Sequence, residues 1–481
     1  MGPQHCRNGR WEEKTHAAKF RSQPWASIPD NLPGSARHQA GIPVRVDHIN
    51  AYLTGGAAVA ARRLHHGLLA AGHESRFWHA DHQVADPSVS RDGTYHQLHW
   101  GMPTFWQIAA LSQSAVRWTR ERVLRSYYRR GGAVRPGMYN GPLRPYDTKF
   151  PPADTETDVL HLHWVSRIID YPSFFRSLPP NLPLVWTLHD MQPLTGGCHH
   201  AHDCDRYQHA CGNCPVLGRP GEHDLSHRDH GIKQAALAGR TMHIVTPSRW
   251  LEQRARASGL LPAACSFQTI RNAINLEHFR PLDKRTARRE LGLPEDRLLI
   301  GYAAESLSNK PKGIKEFLMA LSRLAPRHQV TGLLFGKDQP PPGITTTPLI
   351  NLGFLSNPEK IRLAYAAADI FTVPSHAETI SQTAPEALAC GTPVVASNVG
   401  GIPEIVRHGE TGLLARPRNA EDLASQLSLL AGDPDLRRRF AEAGCRLVRD
   451  EFAAESSIRQ YLNLYERGRT AGLARVDASR S

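Results

Sequence analysis

The sequence predicts an α/β protein of two domains, each a parallel sheet covered by helices on both faces. The first reason is length: 481 residues exceed the roughly 250–300 at which a single core stops growing. The second is pattern. Short apolar runs alternate with helical spans in two separate series, the sequence form of a parallel sheet with helical crossovers.

The first series opens at 44–50 (VRVDHIN), an apolar-alternating run read as a strand. Thr54, Gly55 and Gly56 make a turn, and an Ala- and Leu-rich helix follows over 57–71. A strand, a glycine turn and a helix open a nucleotide-binding type of domain. Further strands are expected at 159–163, 184–188 and 243–246. The second series begins near Leu298, with strands at 298–303, 332–335, 349–353, 370–373 and 393–396. Arg280, Pro281, Leu282 and Asp283 read as the linker, and 454–467 as a last helix. This divides the chain into a polar tail at 1–42, domains at 43–280 and 281–453, and a C-terminal segment at 454–481. The tail lacks the apolar core of a signal peptide. No short-period repeat is visible.

Composition narrows the class. Hydrophobic content of 40% and charged content of 21% fit a globular protein. No run of about 18 apolar residues exists to cross a membrane, so a cytoplasmic location is expected. A formal charge of +13 favours phosphate-bearing partners, whether nucleic acid, nucleotide or anionic lipid. Between 92 and 152 the alternation breaks. Arg117, Arg120, Arg122, Arg125, Arg129 and Arg130 interleave with Trp118, Val123, Leu124, Tyr127 and Tyr128, and Glu121 is the one acid. This is a basic amphipathic helix inserted in the first domain. It suits either docking on an anionic membrane surface or packing of its aromatics on the domain.

Four of the eight cysteines, Cys198, Cys204, Cys211 and Cys214, fall within 17 residues. Cys211 and Cys214 form a CxxC, and four thiolates complete a structural zinc tetrahedron. Two disulfides or free thiols are the alternatives, and His199, His200, His202 and His209 are nearby ligands. A thioredoxin-like redox role lacks its βαβ setting.

The most informative segment is 374–404, PSHAETISQTAPEALACGTPVVASNVGGIPE. It starts at the carboxyl end of a strand, where open α/β sheets bind ligands. Glu378 and Glu386 form an E-x7-E pair. Pro385, lacking an N–H, fits only the first turn of a helix, and Gly391 is placed to end it. Thr379, Ile380, Ser381, Gln382 and Thr383 therefore present backbone N–H groups at a helix start, a cradle for a diphosphate. Glu378 can accept from sugar hydroxyls, and Glu386 from a ribose. Taken singly, Glu386 is also an ordinary first-turn acid complementing the helix dipole, and Glu378 an ordinary loop acid. His189, followed by Asp190, ends the apolar run 183–188 and faces the same crevice; a structural core histidine is the plainer reading.

The segment resembles the signature of the family 4 retaining glycosyltransferases, and the likeness extends over most of 44–465. Gly55-Gly56 before its helix, VTPSRW at 245–250, RNAINLEHFRP at 271–281, GGIPE at 400–404 and GETGLL at 409–414 are similar to other landmarks of that family. The Cys-rich segment and the insertion look most like the bacterial colanic-acid and exopolysaccharide branch.

The resemblance implies the GT-B fold: two facing Rossmann-like domains with a cleft between them and a last helix that returns to the first. It implies a nucleotide-diphosphate sugar as donor and a glycan or lipid-diphosphate-linked acceptor. Glu378, His189 and Lys312 would be catalytic. Gly55, Gly56, Glu386 and Thr379 to Thr383 would bind donor, with no cofactor needed for catalysis. An arginine usual in the family a few residues before Lys312 is missing here, where the string is AESLSNKPK; Asn309 or Lys310 would have to replace it. Two other readings compete: a nucleotide-sugar epimerase on the same fold, and a non-catalytic basic zinc protein. The intact E-x7-E pair argues against the latter, and no nucleic-acid partner is expected.

Overall fold

The computed structural model describes residues 42–81, 93–98, 138–144, 146–149 and 156–480, with residues 116, 119–124 and 126–127. Two parallel sheets organise it. The first has strands β1 (Arg45–Ile49), β2 (Glu74–His79), β3 (Tyr95–Gln97), β4 (Val159–Leu162), β5 (Leu184–Thr187), β6 (His243–Thr246) and β7 (Ser266–Thr269), in the order β3-β2-β1-β4-β5-β6-β7. Its helices are α1 (Gly56–Ala70), α2 (Tyr171–Ser177), α3 (Leu225–Leu237) and α4 (Arg249–Arg256).

The second domain has α5 (Lys284–Leu291), β8 (Leu298–Ser306), α6 (Ile314–Leu324), β9 (Val330–Lys337), β10 (Leu349–Asn351), α7 (Pro358–Ala367), β11 (Ile370–Val373), α8 (Thr383–Ala389), β12 (Val394–Ser397), β13 (Gly412–Ala415), α9 (Ala420–Gly432) and α10 (Pro434–Phe452). Its sheet runs β10-β9-β8-β11-β12-β13. Strand order reverses between β1 and β4 in one sheet and between β8 and β11 in the other. Crevices open at such reversals, beyond the carboxyl ends of the strands, and both are used below.

Local sequence explains the helix starts. Ser248, Asp283, Asn357, Asn419 and Asp433 each cap a helix by accepting a backbone N–H, which satisfies a donor with no intrahelical partner. Pro358 and Pro434 occupy first-turn positions, where a missing N–H is harmless.

The chain crosses between domains twice, side by side. Ile274 N donates to Phe452 O, and Ala454 N to Ile274 O. Ile274 and Phe279 pack in the core of the second domain, so the passage begins before the 280 boundary read from sequence. The last helix, α11 (Ala454–Arg480), returns to the first domain. Its Tyr461, Leu462, Leu464 and Tyr465 close a core with Val44, Val46, Leu64, Val159 and Val185. The expected insertion also begins later than 92, because β3 pairs with β2 as an edge strand.

Candidate active site

Loops from both reversal points meet in the cleft. From the second domain, β11 delivers the chain through Pro374 to Glu378, whose Oε1 accepts from Ser375 Oγ at 3.0 Å and from Lys312 Nζ at 2.5 Å. Lys312 ends a tight turn after β8 and is 39% exposed, so its ammonium reaches the opening. Two glycines let these loops touch. Gly313 has φ 76°, and a Cβ there would lie 1.9 Å from Pro374 O. At Gly400, with φ 55°, a Cβ would lie 1.5 Å from Glu378 O. Only glycine meets both demands at once.

Glu386 sits in the first turn of α8, buried. Its Oε2 accepts from Tyr365 Oη at 2.8 Å and its Oε1 from Arg63 Nη2 of α1 at 2.6 Å. This ion pair therefore crosses the cleft. The loop before α8 is likewise shared between domains. Thr379 Oγ1 donates to His189 O at 2.7 Å, Thr379 O accepts from Ser248 Oγ at 2.8 Å, and Gln382 Nε2 reaches Gly56 O at 3.5 Å. Ile380 is buried, while Ser381 and Thr383 hydroxyls lie 3.1 Å apart. Gly55, with φ 89°, faces Glu305 of the other domain. Glu378, Lys312, Glu386, His189, Gly55, Gly56 and residues 379–383 are thus gathered at one cleft. Asn309 and Lys310 are exposed on the Lys312 turn.

His189 follows β5, and its Nε2 lies 3.2 Å from His163 Nδ1, whose own Nε2 lies 3.0 Å from His48 Nδ1. Burial pushes His189 down to about 4, so its ring is neutral near pH 7. Burial opposes ionisation of Asp190, but the His199 charge and bonds from His199, Gln192 N and Trp164 outweigh it and hold the carboxyl at about 2. Asp190 consequently anchors His199 and Trp164 beneath the cleft, at 2.6 and 2.7 Å.

Among the described residues, one group of three metal-competent side chains has ligand atoms within 4.8 Å of one another: His48, His161 and His163. Both nitrogens of His161 are already engaged, by Tyr465 Oη and Thr187 Oγ1, each at 2.7 Å. His48 and His163 hydrogen-bond to each other while His161 only packs against their rings, and burial keeps all three neutral. The four cysteines expected to hold zinc lie together in the first domain, after β5. They are free thiols lining one small pocket. Cys198 and Cys214 hydrogen-bond to each other, which lowers the Cys214 thiol and raises that of Cys198. The sulfur of Cys211 accepts instead from Gly196 N at 3.3 Å.

Of the basic insertion, Arg120, Arg122, Val123 and Tyr127 are exposed. Glu121 is buried and takes the Arg228 guanidinium. Arg117, Trp118, Arg125, Tyr128, Arg129 and Arg130 lie outside the described residues.

The second domain carries a specific signature. Residues 283–446 match the model for glycosyl transferases group 1. The chain carries a group 1 glycosyltransferase domain on the GT-B fold. The group 1 domain holds Lys312, Glu378 and Glu386, and the remaining partners, His189, Arg63 and the Gly55-Gly56 loop, come from the first domain. The chain is similar to the D-inositol 3-phosphate glycosyltransferase of Segniliparus rotundus, 35% identical over 36% of this chain and 40% of that protein. It is also similar to the N-acetyl-alpha-D-glucosaminyl L-malate synthase of Bacillus anthracis, 27% identical over 41% and 53%. It thus spans about half or less of these curated relatives. Among solved structures, the sucrose-phosphate synthase of Thermosynechococcus elongatus superposes with TM-score 0.62 and 22% identity, over 88% of this chain and 98% of that one. The Anabaena HepE protein in complex with UDP and glucose does so with TM-score 0.59 and 16% identity, over 88% and 100%. These two establish the fold. No helix among the described residues is long and apolar enough to cross a membrane.

Sequence reasoning missed Arg63, Tyr365, Ser248 and Glu404. Glu404 accepts from Arg249 N and Trp250 N at the start of α4 and from Arg271 at 2.6 Å, tying the GGIPE string to the first domain. Glu404 stood inside a quoted motif and so was visible. Arg63 sits in an Ala- and Leu-rich helix 323 residues from its partner, and nothing local marks it.

Proposed function

We propose that the protein is a retaining glycosyltransferase moving a sugar from a nucleotide-diphosphate donor to a hydroxyl of an acceptor. The observation that carries this reading is the meeting of Glu378, Lys312, Glu386 and His189 at one cleft, in a chain whose second half is a group 1 domain. The nucleoside diphosphate leaves with developing negative charge, which must be stabilised where it forms. Lys312 supplies a cation there by exchanging Glu378 for phosphate. Glu378 is then free to accept from donor-sugar hydroxyls, and Glu386 from the ribose. Neutral His189 can donate a hydrogen bond without adding charge beside the anion. The cleft walls exclude water from the reacting bond once the domains close.

For the acceptor, the resemblance supports a glycan or lipid-diphosphate in surface-polysaccharide synthesis, with the exposed Arg120 and Arg122 turned to an anionic membrane. The names of the matched relatives favour a second reading, because inositol 3-phosphate and L-malate are small anionic alcohols. Incubating the full chain with a panel of UDP-, GDP- and dTDP-sugars tests the main reading. One donor should be hydrolysed slowly without acceptor and faster with one, giving a glycosidic product. An isomerised nucleotide sugar would instead establish the epimerase reading, and no turnover of any donor would sink both.

A further inference from the structure

A second cavity of about 560 Å³ lies beside the donor site, between the Cys-rich segment of the first domain and the loop after β13 of the second. That volume suits a small-molecule ligand. Arg206 enters from one domain and Arg418 from the other, and Asp203, Asp205 and His202 share the wall with apolar Val216. Neither guanidinium has an ion-pair partner among the described residues. Two like charges on one cavity repel unless an anion bridges them, and planar guanidinium forks match phosphate or carboxylate oxygens in pairs.

Backbone conformation marks the same place. Six described residues other than glycine have left-handed φ, and three of them line this cavity: His202 at 48°, Asn213 at 44° and Arg418 at 57°. Such conformations cost energy and cluster at ligand sites. The cavity wall lies near Glu378. His200, two residues from His202, interacts electrostatically with both His202 and Glu378.

We infer that this cavity is the acceptor subsite, and that it takes a polyhydroxylated acceptor bearing an anionic group, the anion held between Arg206 and Arg418 and the hydroxyls on Asp203 and Asp205. This deepens the glycosyltransferase reading and rests on it. The two aspartates disfavour a bare anion, so a phosphorylated sugar is preferred to inorganic phosphate. Because the arginines belong to different domains, the acceptor anion also favours the closed cleft.

Binding of D-glucose 6-phosphate, D-glucose and inorganic phosphate to the full-length protein, with UDP present, tests this. Glucose 6-phosphate should bind at least about tenfold tighter than either of the others. Arg206→Gln and Arg418→Gln should each remove that preference by about tenfold, leaving UDP affinity unchanged because neither residue is at the donor site. A parallel sedimentation arm uses phosphatidic acid vesicles. Arginine-dependent binding to vesicles alone assigns the anion to a lipid, and arginine-dependent binding of the soluble ester assigns it to a free sugar phosphate. Equal binding of glucose and glucose 6-phosphate with no vesicle binding, or full binding by both variants, overturns the subsite. Failure of wild-type protein to bind UDP or any nucleotide sugar would strike the donor reading instead and leave the anion preference to be read separately.

Discussion

Glu378 depends on residues that its own neighbourhood in the chain does not reveal. Its backbone carbonyl lies where a Cβ on Gly400 would need to be, at 1.5 Å, so even one methyl group must displace the loop. Gly400→Ala should leave the far-ultraviolet circular dichroism spectrum unchanged and reduce transfer by at least tenfold, the scale of a catalytic group misplaced by about 1 Å. Normal turnover would mean the loop tolerates the shift. On the proposed reading Lys312→Ala removes the cation that meets leaving-group charge, and should lower kcat by about 10²–10³. A change confined to KM would show that Lys312 only binds donor. The E-x7-E pair was legible because both carboxylates sit within one strand-to-helix segment. Arg63 was not, because its meaning lies wholly in Glu386 and Tyr365 across the cleft.

At the scale of elements, the face of the first sheet under α1 and α11 is unusual in being lined with histidines. His48, His161 and His163 are buried there with His189 half-buried beside them, and Tyr461 and Tyr465 of α11 reach down to Thr187 and His161. Burial holds His48 near 3, His189 near 4, and His161, His163 and His65 well below the usual 6.5. In the unfolded chain each would take a proton as pH falls through about 6.5, while the native state refuses it. The stabilising contribution is therefore complete above pH 6.5 and is lost progressively toward pH 4. Each such histidine adds a slope of up to about 1.4 kcal/mol per pH unit, so the urea midpoint should fall steeply between pH 6.5 and 5.5. A flat midpoint over that interval would mean the rings are protonated when folded. Tyr465→Phe leaves His161 Nδ1 buried without its partner and should cost about 1–3 kcal/mol. Tyr465→Ala also opens a cavity and should cost about 3–5 kcal/mol.

Buried polar links join the two domains across the cleft at the scale of the whole molecule. Arg63 meets Glu386, and Arg271 meets Glu404, at 2.6 Å each, and both arginines are largely buried. Removing one member of such a pair leaves the other charge stranded. The double variant Arg63→Ala, Arg271→Ala should therefore open the donor-free cleft. Small-angle scattering should give a radius of gyration measurably above the roughly 23 Å of a compact chain of this length. Calorimetry should resolve two thermal transitions in place of one. An unchanged radius and a single transition would assign the closure to the paired crossovers at Ile274 and Ala453 instead.

The sequence alone determined the two parallel sheets, their cleft and the E-x7-E pair of acids at it. Those depend on local patterns: apolar runs such as 370–373, a proline and a glycine bracketing α8, and glycines before α1. Strand β3 was not legible, because its three half-buried residues carry no alternation to read, and the alternating β2 went unread as well. Nor were the ends of the insertion, the direction of the arginines, or the arrangement of the four thiols. Cysteine spacing gives the length of chain between sulfurs but not where their side chains point. Here Gly196, Gly197 and Gly212 pack against neighbouring elements and set the loop's path, so Cys198 and Cys214 meet and all four thiols line one pocket. Charge followed the same rule. The sequence supplied a surplus of arginines, and tertiary structure decided that Arg63 would pair with Glu386 while Arg206 and Arg418 would line one cavity with no ion-pair partner among the described residues. Ion pairing is set by distance in space, and residues hundreds of positions apart acquire that distance only when the domains close.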